Sequence, residues 1–458
     1  MQLPQKLLTS LEGIEGFNKD AFEKVHQSGE RVTSIRINPL KTSNVKRETS
    51  MEDFFHVSPF TFHDKVPWSQ YGYYLSQRPS FTFDPLFHAG CYYAQEASSM
   101  FLEQALKQSV DLSRSVKVLD LAAAPGGKST HIQSLISKDS LLVSNEVIKS
   151  RSNILKDNII KWGGDNVIVT SSDPKDFARL ESYFDVIVVD APCSGSGLFR
   201  RDEDAIGEWS ENNVQLCSKR QQRILADVWP SLKRDGVMIY STCSYSKEED
   251  EDIVNWLGKE FSIFNFQFSI DKTWNIFESS RGYRFWPDKV KGEGFFMACV
   301  KKLDGEDQNG WKVKKNLELL SKKEIEIVKG WVKQTDHEFV KVMGRIYAVP
   351  RKLLTDLNVL SSMLHVIYPG TLIGELVRDK LIPDHALAMS PLIADNIESV
   401  ELTYDQAITY LKKKELNIGT GKGWKRVSFK NYPLGWINVL PNRINNYYPK
   451  ELRILRDI

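Results

Sequence analysis

The chain has 458 residues, with 61 Lys and Arg against 59 Asp and Glu, a formal charge of +2 and 41% hydrophobic residues. That length holds two to four domains with a sizeable core in the largest, and no apolar run approaches the length of a membrane span. The near-neutral balance decides nothing about partners, so a nucleic-acid case has to come from where the charge sits. The opening stretch MQLPQKLLTSLEGIEG lacks the charged-then-apolar layout of a signal peptide. Five cysteines without a CxxC pair form neither a disulfide framework nor a zinc site. A cytoplasmic protein with reduced thiols, no metal and no membrane partner is expected.

Residues 1 to about 30 carry apolar positions at helical spacing (Leu7, Leu8, Leu11, Ile14, then Phe17, Phe22, Val25), which predicts two short helices. RVTSIRINPLK, residues 31–41, sets Ile35 and Ile37 against Arg36 and Asn38 with period two, the pattern of a half-buried strand. Aromatics crowd the region from Trp68 to Tyr93, with Lys65 and Arg78 among them. Such a mixture can stack bases, although core packing accounts for it more simply. Residues 1–90 read as an accessory domain.

From Cys91 strands and helices alternate. The pattern gives a helix Gln95–Leu106, a strand at 117–121, a helix to about Ser137, a strand at 141–145, a helix 150–162 and a strand at 167–170. FDVIVVD follows at 184–190, then a long helix from about 212 to 232, a strand at 236–242, a helix with an acidic start near Lys247 and a last strand at 295–302. Alternation of this kind predicts an α/β fold whose mostly parallel sheet is covered on both faces. Ligands of such sheets sit at the carboxyl ends of the strands, near the switch point of strand order.

LDGEDQNG, residues 303–310, reads as a linker to an intermediate region with strands near Glu338–Val349 and Gly370–Leu376. The tail from Gly419 sets Lys422, Lys425, Arg426, Lys430, Arg443, Lys450, Arg453 and Arg456 against only Glu451 and Asp457. Trp424, Tyr432, Trp436, Tyr447 and Tyr448 lie among those cations. The mixture suits RNA backbone and base contacts, or equally the solvated face of a small β-rich domain.

The stretch VKVLDLAAAPGGKST, residues 116–130, organises the chain. A strand ends at Asp120, small residues run to Gly127, and a helix opens at Ser129 and Thr130. A backbone without bulky Cβ substituents can approach a ligand closely, and a helix start offers free N–H groups to it. A Walker loop would need glycine where Ala122 stands, and the GxGxxG spacing is absent. A plain strand-to-helix turn is the other reading.

Acidic residues stand at successive strand ends: Asp120, Glu146, Asp173 and Asp190. Glu146 lies about twenty residues past the glycine loop, where a carboxylate commonly accepts from ribose hydroxyls. Asp173 is placed for the amino group of an adenine, and each of these acids also reads as a loop carboxylate or helix cap. Cys193 in DAPCSGSG and Cys243 in STCSYS follow buried strands and are candidate nucleophiles. Ser246 followed by Glu249 fits a capping box. Cys217 and Cys299 read as core, and Cys91 is open.

DLAAAPGGKS, DAPCSGSG and STCSYSKEEDE, preceded by YYAQEASSM, resemble the Sun-type RNA cytosine-5 methyltransferases in sequence and order. RFWPDKVKGEGFF, GTLIGELVRDKLIPDHALAMS and NYPLGW with NNYYPKELR resemble the bacterial ribosomal-RNA branch of that family, which carries a PUA-like C-terminal domain. The resemblance implies an N-terminal RNA-binding accessory domain at 1–90 and a Rossmann-like, seven-stranded S-adenosylmethionine-dependent domain at 91–302. An intermediate domain at 311–398 and a PUA-like RNA-binding domain at 399–458 follow. It further implies that Ala122, Ala123, Ala124, Pro125, Gly126, Gly127 and Lys128 wrap S-adenosylmethionine, that Glu146 holds its ribose and that Asp173 meets its adenine.

In the same family Asp190 borders cofactor and target base, Cys243 is the nucleophile and Cys193 helps release the product. Lys128 either joins Asp190 on the base or is a helix-start cation alone. Arg200 and Arg201 are candidate phosphate contacts. The implied reaction is C5 methylation of a cytosine in RNA, with 16S ribosomal RNA or the small subunit as partner and a monomer as the working unit. The target base would be unpaired or flipped, since C6 is out of reach inside a helix. The rivals are a DNA or tRNA cytosine-5 methyltransferase and a ribosome assembly factor that binds RNA without turnover. The TCS at a strand end and the basic C-terminal module weigh against a DNA enzyme, and the intact thiols and cofactor acids against the assembly factor.

Overall fold

A computed structural model describes residues 3–42, 62–306 and 317–456. The first helices, Gln5–Leu11 and Lys19–Gln27, form where the apolar spacing predicts them. Their buried faces do not stay with the N-terminal sheet: Leu7, Leu11 and Phe22 pack with Phe199, Trp209, Tyr245 and Trp286.

β1 (Thr33–Ile37), β2 (Phe62–Lys65), β3 (Gly72–Leu75) and β4 (Tyr92–Ala94) make an antiparallel sheet in the order β2-β3-β1-β4. β1 was expected to wet one face, yet all five of its residues are buried. The period of two survives, but both faces are covered. Ile35 and Ile37 enter an apolar core, while Arg36 enters the base of the glycine loop. Its guanidinium donates to Gln95 Oε1 at 2.8 Å, Gly127 O at 3.2 Å and Thr130 Oγ1 at 2.6 Å, and lies 4.6 Å from the Trp162 ring. Burial lowers Arg36 to about 9, still charged at neutral pH, and the acceptors around it offset the cost of desolvation.

The central sheet contains β5 (Lys117–Asp120), β6 (Leu141–Asn145), β7 (Val167–Thr170), β8 (Phe184–Asp190), β9 (Leu232–Thr242), β10 (Ile263–Phe266), β11 (Phe277–Glu278), β12 (Tyr283–Phe285) and β13 (Phe295–Lys302). Seven of these follow the order β7-β6-β5-β8-β9-β13-β10, with β5 to β9 parallel, β13 antiparallel to them, and β10, antiparallel to β13, running with the parallel set. β11 and β12 extend the β13 side. The centres of the parallel strands are apolar and buried, as a sheet covered on both faces requires.

Two helix boundaries differ from the sequence expectation. The helix expected from Gln95 begins as a turn at Ser98 and becomes α-helical only over Leu102–Ser109. Glu96 decides this, since its carboxylate accepts from Ser98 N–H and Ser99 N–H at 2.9 Å each and so ends the extended segment. The long helix spans Glu211–Val228, and Pro230 just beyond closes it. Leu232, expected on that helix, instead begins β9.

β14 (Glu318–Leu319), β15 (His337–Val342), β16 (Arg345–Pro350), β17 (Val366–Tyr368), β18 (Thr371–Val377) and β19 (Lys380–Pro383) come next. All but β17 form a third sheet, while β17 pairs antiparallel with β7 and becomes the tenth strand of the central sheet. β20 (Ser399–Glu401), β21 (Gly423–Phe429), β22 (Tyr432–Leu440) and β23 (Arg443–Asn446) form the fourth. Of the expected linker 303–310, residues 307–310 lie outside the described residues.

The apolar cores cross these sheets. Leu357, Leu360 and Tyr368 join the core beneath β5 to β9, and Ile35, Leu86, Cys91 and Tyr92 share one with Leu411, Val427 and Tyr448. Removing the tail would therefore strip the cover from the first sheet. Among the described residues no helix is long and apolar enough to cross a membrane.

Candidate active site

The chain leaves β5 towards β6 and β7 and returns at β8 on the other side, so the carboxyl ends of β5 and β8 flank the switch point. The AAAPGGKS turn crosses it. Ala123 N–H donates to Asn145 O, Arg151 Nη2 to Ala124 O and Asn158 Nδ2 to Pro125 O, each at 2.8 Å. Gly126, at φ +111°, turns the chain into the helix Gly127–Leu135. The N–H groups of Gly127, Lys128 and Ser129 have no backbone acceptor among the described residues.

Asp120 is enclosed beneath this loop. Its Oδ2 accepts from Ser129 Oγ at 2.6 Å, its Oδ1 has no partner among the described residues, and burial pushes the carboxyl up to about 7. It braces the loop from below and does not face the crevice. Its folded value exceeds its unfolded one of 3.8, so the stability it contributes is complete below pH ~4 and declines as pH rises towards ~7. We predict that the urea stability of Asp120→Asn relative to the native protein climbs by up to about 1.4 kcal/mol per pH unit over that window and levels off above it. A relative stability that stays constant from pH 5 to 8 would contradict the raised carboxyl.

Glu146, 3% exposed, follows β6. Its Oε1 accepts from Ile148 N–H at 2.9 Å and its Oε2 lies 3.3 Å from Arg151 Nη1. The neighbouring Val147 and Ile148 are about half exposed, 53% and 49%. Asp173, after β7, caps the next turn through Lys175 N–H at 3.1 Å. Asp190 ends β8, where its Oδ1 accepts from Ser241 Oγ at 2.8 Å and its Oδ2 lies 2.8 Å from Lys128 Nζ.

β8 and β9 are parallel neighbours with Asp190 opposite Ser241, so the loops that follow them leave the sheet side by side. Cys193 comes three residues past Asp190, Cys243 two past Ser241, and their Sγ atoms are 3.0 Å apart. Glu249 ties the two loops together. Its carboxylate accepts from Ser194 N–H at 2.8 Å, Ser194 Oγ at 2.5 Å, Ser244 Oγ at 2.6 Å and Gln221 Nε2 at 3.2 Å.

Gly197 N–H donates to Cys243 O at 2.8 Å, and a Cβ there would fall 2.4 Å from Gly294 O, so only glycine allows this approach. The hydrogen bond with Cys243 and then burial push the Cys193 thiol well above its ordinary value.

Three comparisons bear on this arrangement. Residues 108–301 match the family model 16S rRNA methyltransferase RsmB/F, residues 3–97 the N-terminal domain of 16S rRNA methyltransferase RsmF, and residues 397–454 the methyltransferase RsmF PUA domain. A ribosomal RNA small subunit methyltransferase F of Aliivibrio fischeri is 30% identical over 446 residues, 92% of this chain and 90% of its own. The chain belongs to the RsmB/F family.

Another relative of that description, from Shewanella loihica, is 27% identical over 443 residues, covering 92% of this chain and 88% of its own. Among solved structures, a methyltransferase homolog of Pyrococcus horikoshii, 28% identical, matches with a TM-score of 0.51 over 66% of this chain and 100% of its own. NSun6 from the same organism, 20% identical, shows the same fold at a TM-score of 0.54 over 66% of this chain and 99% of its own. The expectations of an S-adenosylmethionine-dependent RNA methyltransferase, a Rossmann-like core and a PUA module are met.

In this RsmB/F member Lys128, Asp190, Cys193 and Cys243 converge, with the 122–128 loop beside them. Glu146 and Asp173 line up along the ends of β6 and β7. Arg200 does not serve as a phosphate contact. Its guanidinium is enclosed and donates to Gly292 O at 3.1 Å and Glu30 O at 2.8 Å. Arg201 is exposed, and with Arg31 and Arg78 it lines a cavity of about 210 Å³.

The capping box expected at Ser246 is absent, since Glu249 turns back to the cysteine loops and Ser246 Oγ finds no partner among the described residues. Glu249 and Arg36 are the positioning residues that sequence reasoning missed. The local signal at Glu249 pointed to a helix cap, and the partners of Arg36 lie in other segments. Cys217 and Cys299 are buried as expected, and Cys91 joins the core shared with the tail. In the tail, Trp436 and Tyr448 are interior and Lys425 is paired with Glu398, so the basic surface is smaller than the sequence suggests.

Proposed function

We propose that this protein transfers a methyl group to C5 of a cytosine in 16S ribosomal RNA, with Cys243 as nucleophile and Cys193 as the group that frees the product. The observation that carries the reading is the pair of sulfurs 3.0 Å apart beside the Lys128–Asp190 ion pair, at the mouth of the glycine loop. The residues present suit S-adenosylmethionine. The N–H groups at 127–129 are open to its polar tail, the buried Glu146 carboxylate to its ribose, exposed Val147 and Ile148 to a face of the adenine, and Asp173 to its amino group. Ala122 to Lys128 form the wall against which it would lie.

Bound there, S-adenosylmethionine supplies a methyl group on a sulfonium. C5 of cytosine is a weak nucleophile, so the Cys243 thiolate adds to C6 and gives the ring enamine character at C5. Asp190 and Lys128 hold N3 and the exocyclic amine, and they steady the charge that appears on the ring. C5 takes the methyl as its bond to the donor sulfur breaks and leaves a neutral thioether, the C5 proton then passes to Cys193, and elimination of the Cys243 sulfur as a thiolate restores the aromatic ring. Cys193 suits the proton removal for a definite reason. Its sulfur lies 3.0 Å from that of Cys243, beside the carbon that bears the proton, and as a thiolate, its own proton having passed to solvent, it can accept the C5 proton.

A DNA-type assignment would make Cys193 the attacking sulfur and leave Cys243, 3.0 Å away, without a role. One chain provides every group named, so the working unit is taken as a monomer in the cytoplasm. The segments 1–90, 91–302, 311–398 and 399–458 are kept as its functional divisions, the first and last contacting RNA. Sequencing of 5-methylcytosine in 16S ribosomal RNA from cells lacking the protein tests the reading. At least one modified position should vanish and return on complementation, and an unchanged map would overturn it.

A further inference from the structure

We infer that the cavity where the N-terminal sheet, the end of the helix Lys149–Trp162 and the C-terminal sheet meet binds the phosphodiester backbone of RNA, with Arg426 and Lys430 as its anion ligands. The cavity holds about 510 Å³, and Lys41, Trp162, Arg426, Lys430 and Tyr432 are among its lining. That is the size range of sites for small organic ligands. It deepens the proposal that RNA is the substrate, and it lies apart from the cysteine pair.

The two cations have no ion-pair partner among the described residues. Neither Arg426 nor Lys430 makes a side-chain hydrogen bond or ion pair with any described residue, and Arg426 Nε is buried without an acceptor. Burial lowers both from their ordinary values. The acids that act on them are engaged elsewhere: Asp395 with Lys333 at 2.8 Å, and Asp84 with Leu86 N–H at 2.9 Å and Tyr92 OH at 2.6 Å. Asp165, the acid in the wall, is held by His337 at 2.9 Å. Lys41 is fixed on the opposite wall by Lys161 O at 2.8 Å and adds to the positive field. On the same strand, by contrast, Lys425 is neutralised by Glu398.

Partly buried cations without a directly paired carboxylate cost stability, and a ligand that brings negative charge removes the cost. The hairpin between β21 and β22 is built to present one of them. Lys430 and Asn431 both adopt left-handed conformations, φ +51° and +65°, in a two-residue turn where asparagine or glycine is the usual choice. The turn is pinned by Asn431 N–H donating to the Glu401 carboxylate. Tyr432 gives the cavity one aromatic side, which suits a nucleotide unit better than a free anion.

The test uses the full chain with Arg426→Gln and Lys430→Gln together, and filter binding of a 16S ribosomal RNA transcript across a salt series. Affinity at low salt should fall roughly tenfold or more, and the slope of log affinity against log salt should lessen by about one to two. The thermal midpoint should stay or rise, because unpaired charge has been removed. Lys422→Gln with Arg443→Gln, exposed cations of the same sheet, should do less. Unchanged affinity and slope, an equal effect of the control pair, or a lowered midpoint would each overturn the site. Methyl transfer by the native protein is measured separately, so a failure of the enzymatic reading is distinguishable from a failure of the cavity.

Discussion

Cys243→Ala is expected to lower methyl transfer by roughly 10⁴-fold or more while cofactor affinity changes by less than about twofold. Removing a nucleophile removes the covalent step itself, and such losses are large because no neighbouring group replaces it. Cofactor affinity should hold because Cys243 makes no hydrogen bond to the 121–128 loop. Its backbone carbonyl bond from Gly197 and its place between the loops tied by Glu249 do not depend on sulfur. Single-turnover incorporation of labelled methyl and equilibrium dialysis of the donor read the two quantities. An active Cys243→Ala with an inactive Cys193→Ala would exchange the roles of the two residues.

Cys193→Ala should fail at the other end of the reaction. The first methyl is incorporated, turnover falls by roughly 10²- to 10⁴-fold, and an RNA–protein adduct accumulates that survives denaturing electrophoresis. Without a base beside C5 the methylated ring keeps its proton, so the Cys243–C6 bond cannot be eliminated. The adduct should be absent from the Cys193→Ala, Cys243→Ala double variant, which links it to that sulfur. The substitution removes one partly enclosed sulfur atom, and its effect on stability should stay near about 1 kcal/mol. Normal turnover without adduct would mean that another group takes the C5 proton.

The parallel strands, the glycine loop and the strand-end acids were legible in the sequence because their signals are local. A run such as FDVIVVD declares burial on both faces, and small residues between a strand and a helix declare a close backbone approach. The motifs around Cys193 and Cys243 could also be read from the chain, since the residues of each motif are adjacent in it. Arg36 shows where such reading stops. Alternation along β1 located two faces correctly, but period two says nothing of what covers a face, and a helix from ninety residues later covers the polar one.

What the sequence determined by itself is therefore the set of strands, the nucleotide-cofactor turn and the two reactive sulfurs with their neighbours. The tertiary structure alone decided that those sulfurs, fifty residues apart, touch. It also decided that Glu249 binds their loops instead of capping a helix, and that two cations of the tail stand unpaired in a shared cavity. The physical reason is the same throughout. A strand or a helix start is fixed by nearest neighbours, whereas a hydrogen bond or an uncompensated charge depends on partners that only the strand order brings within 4 Å.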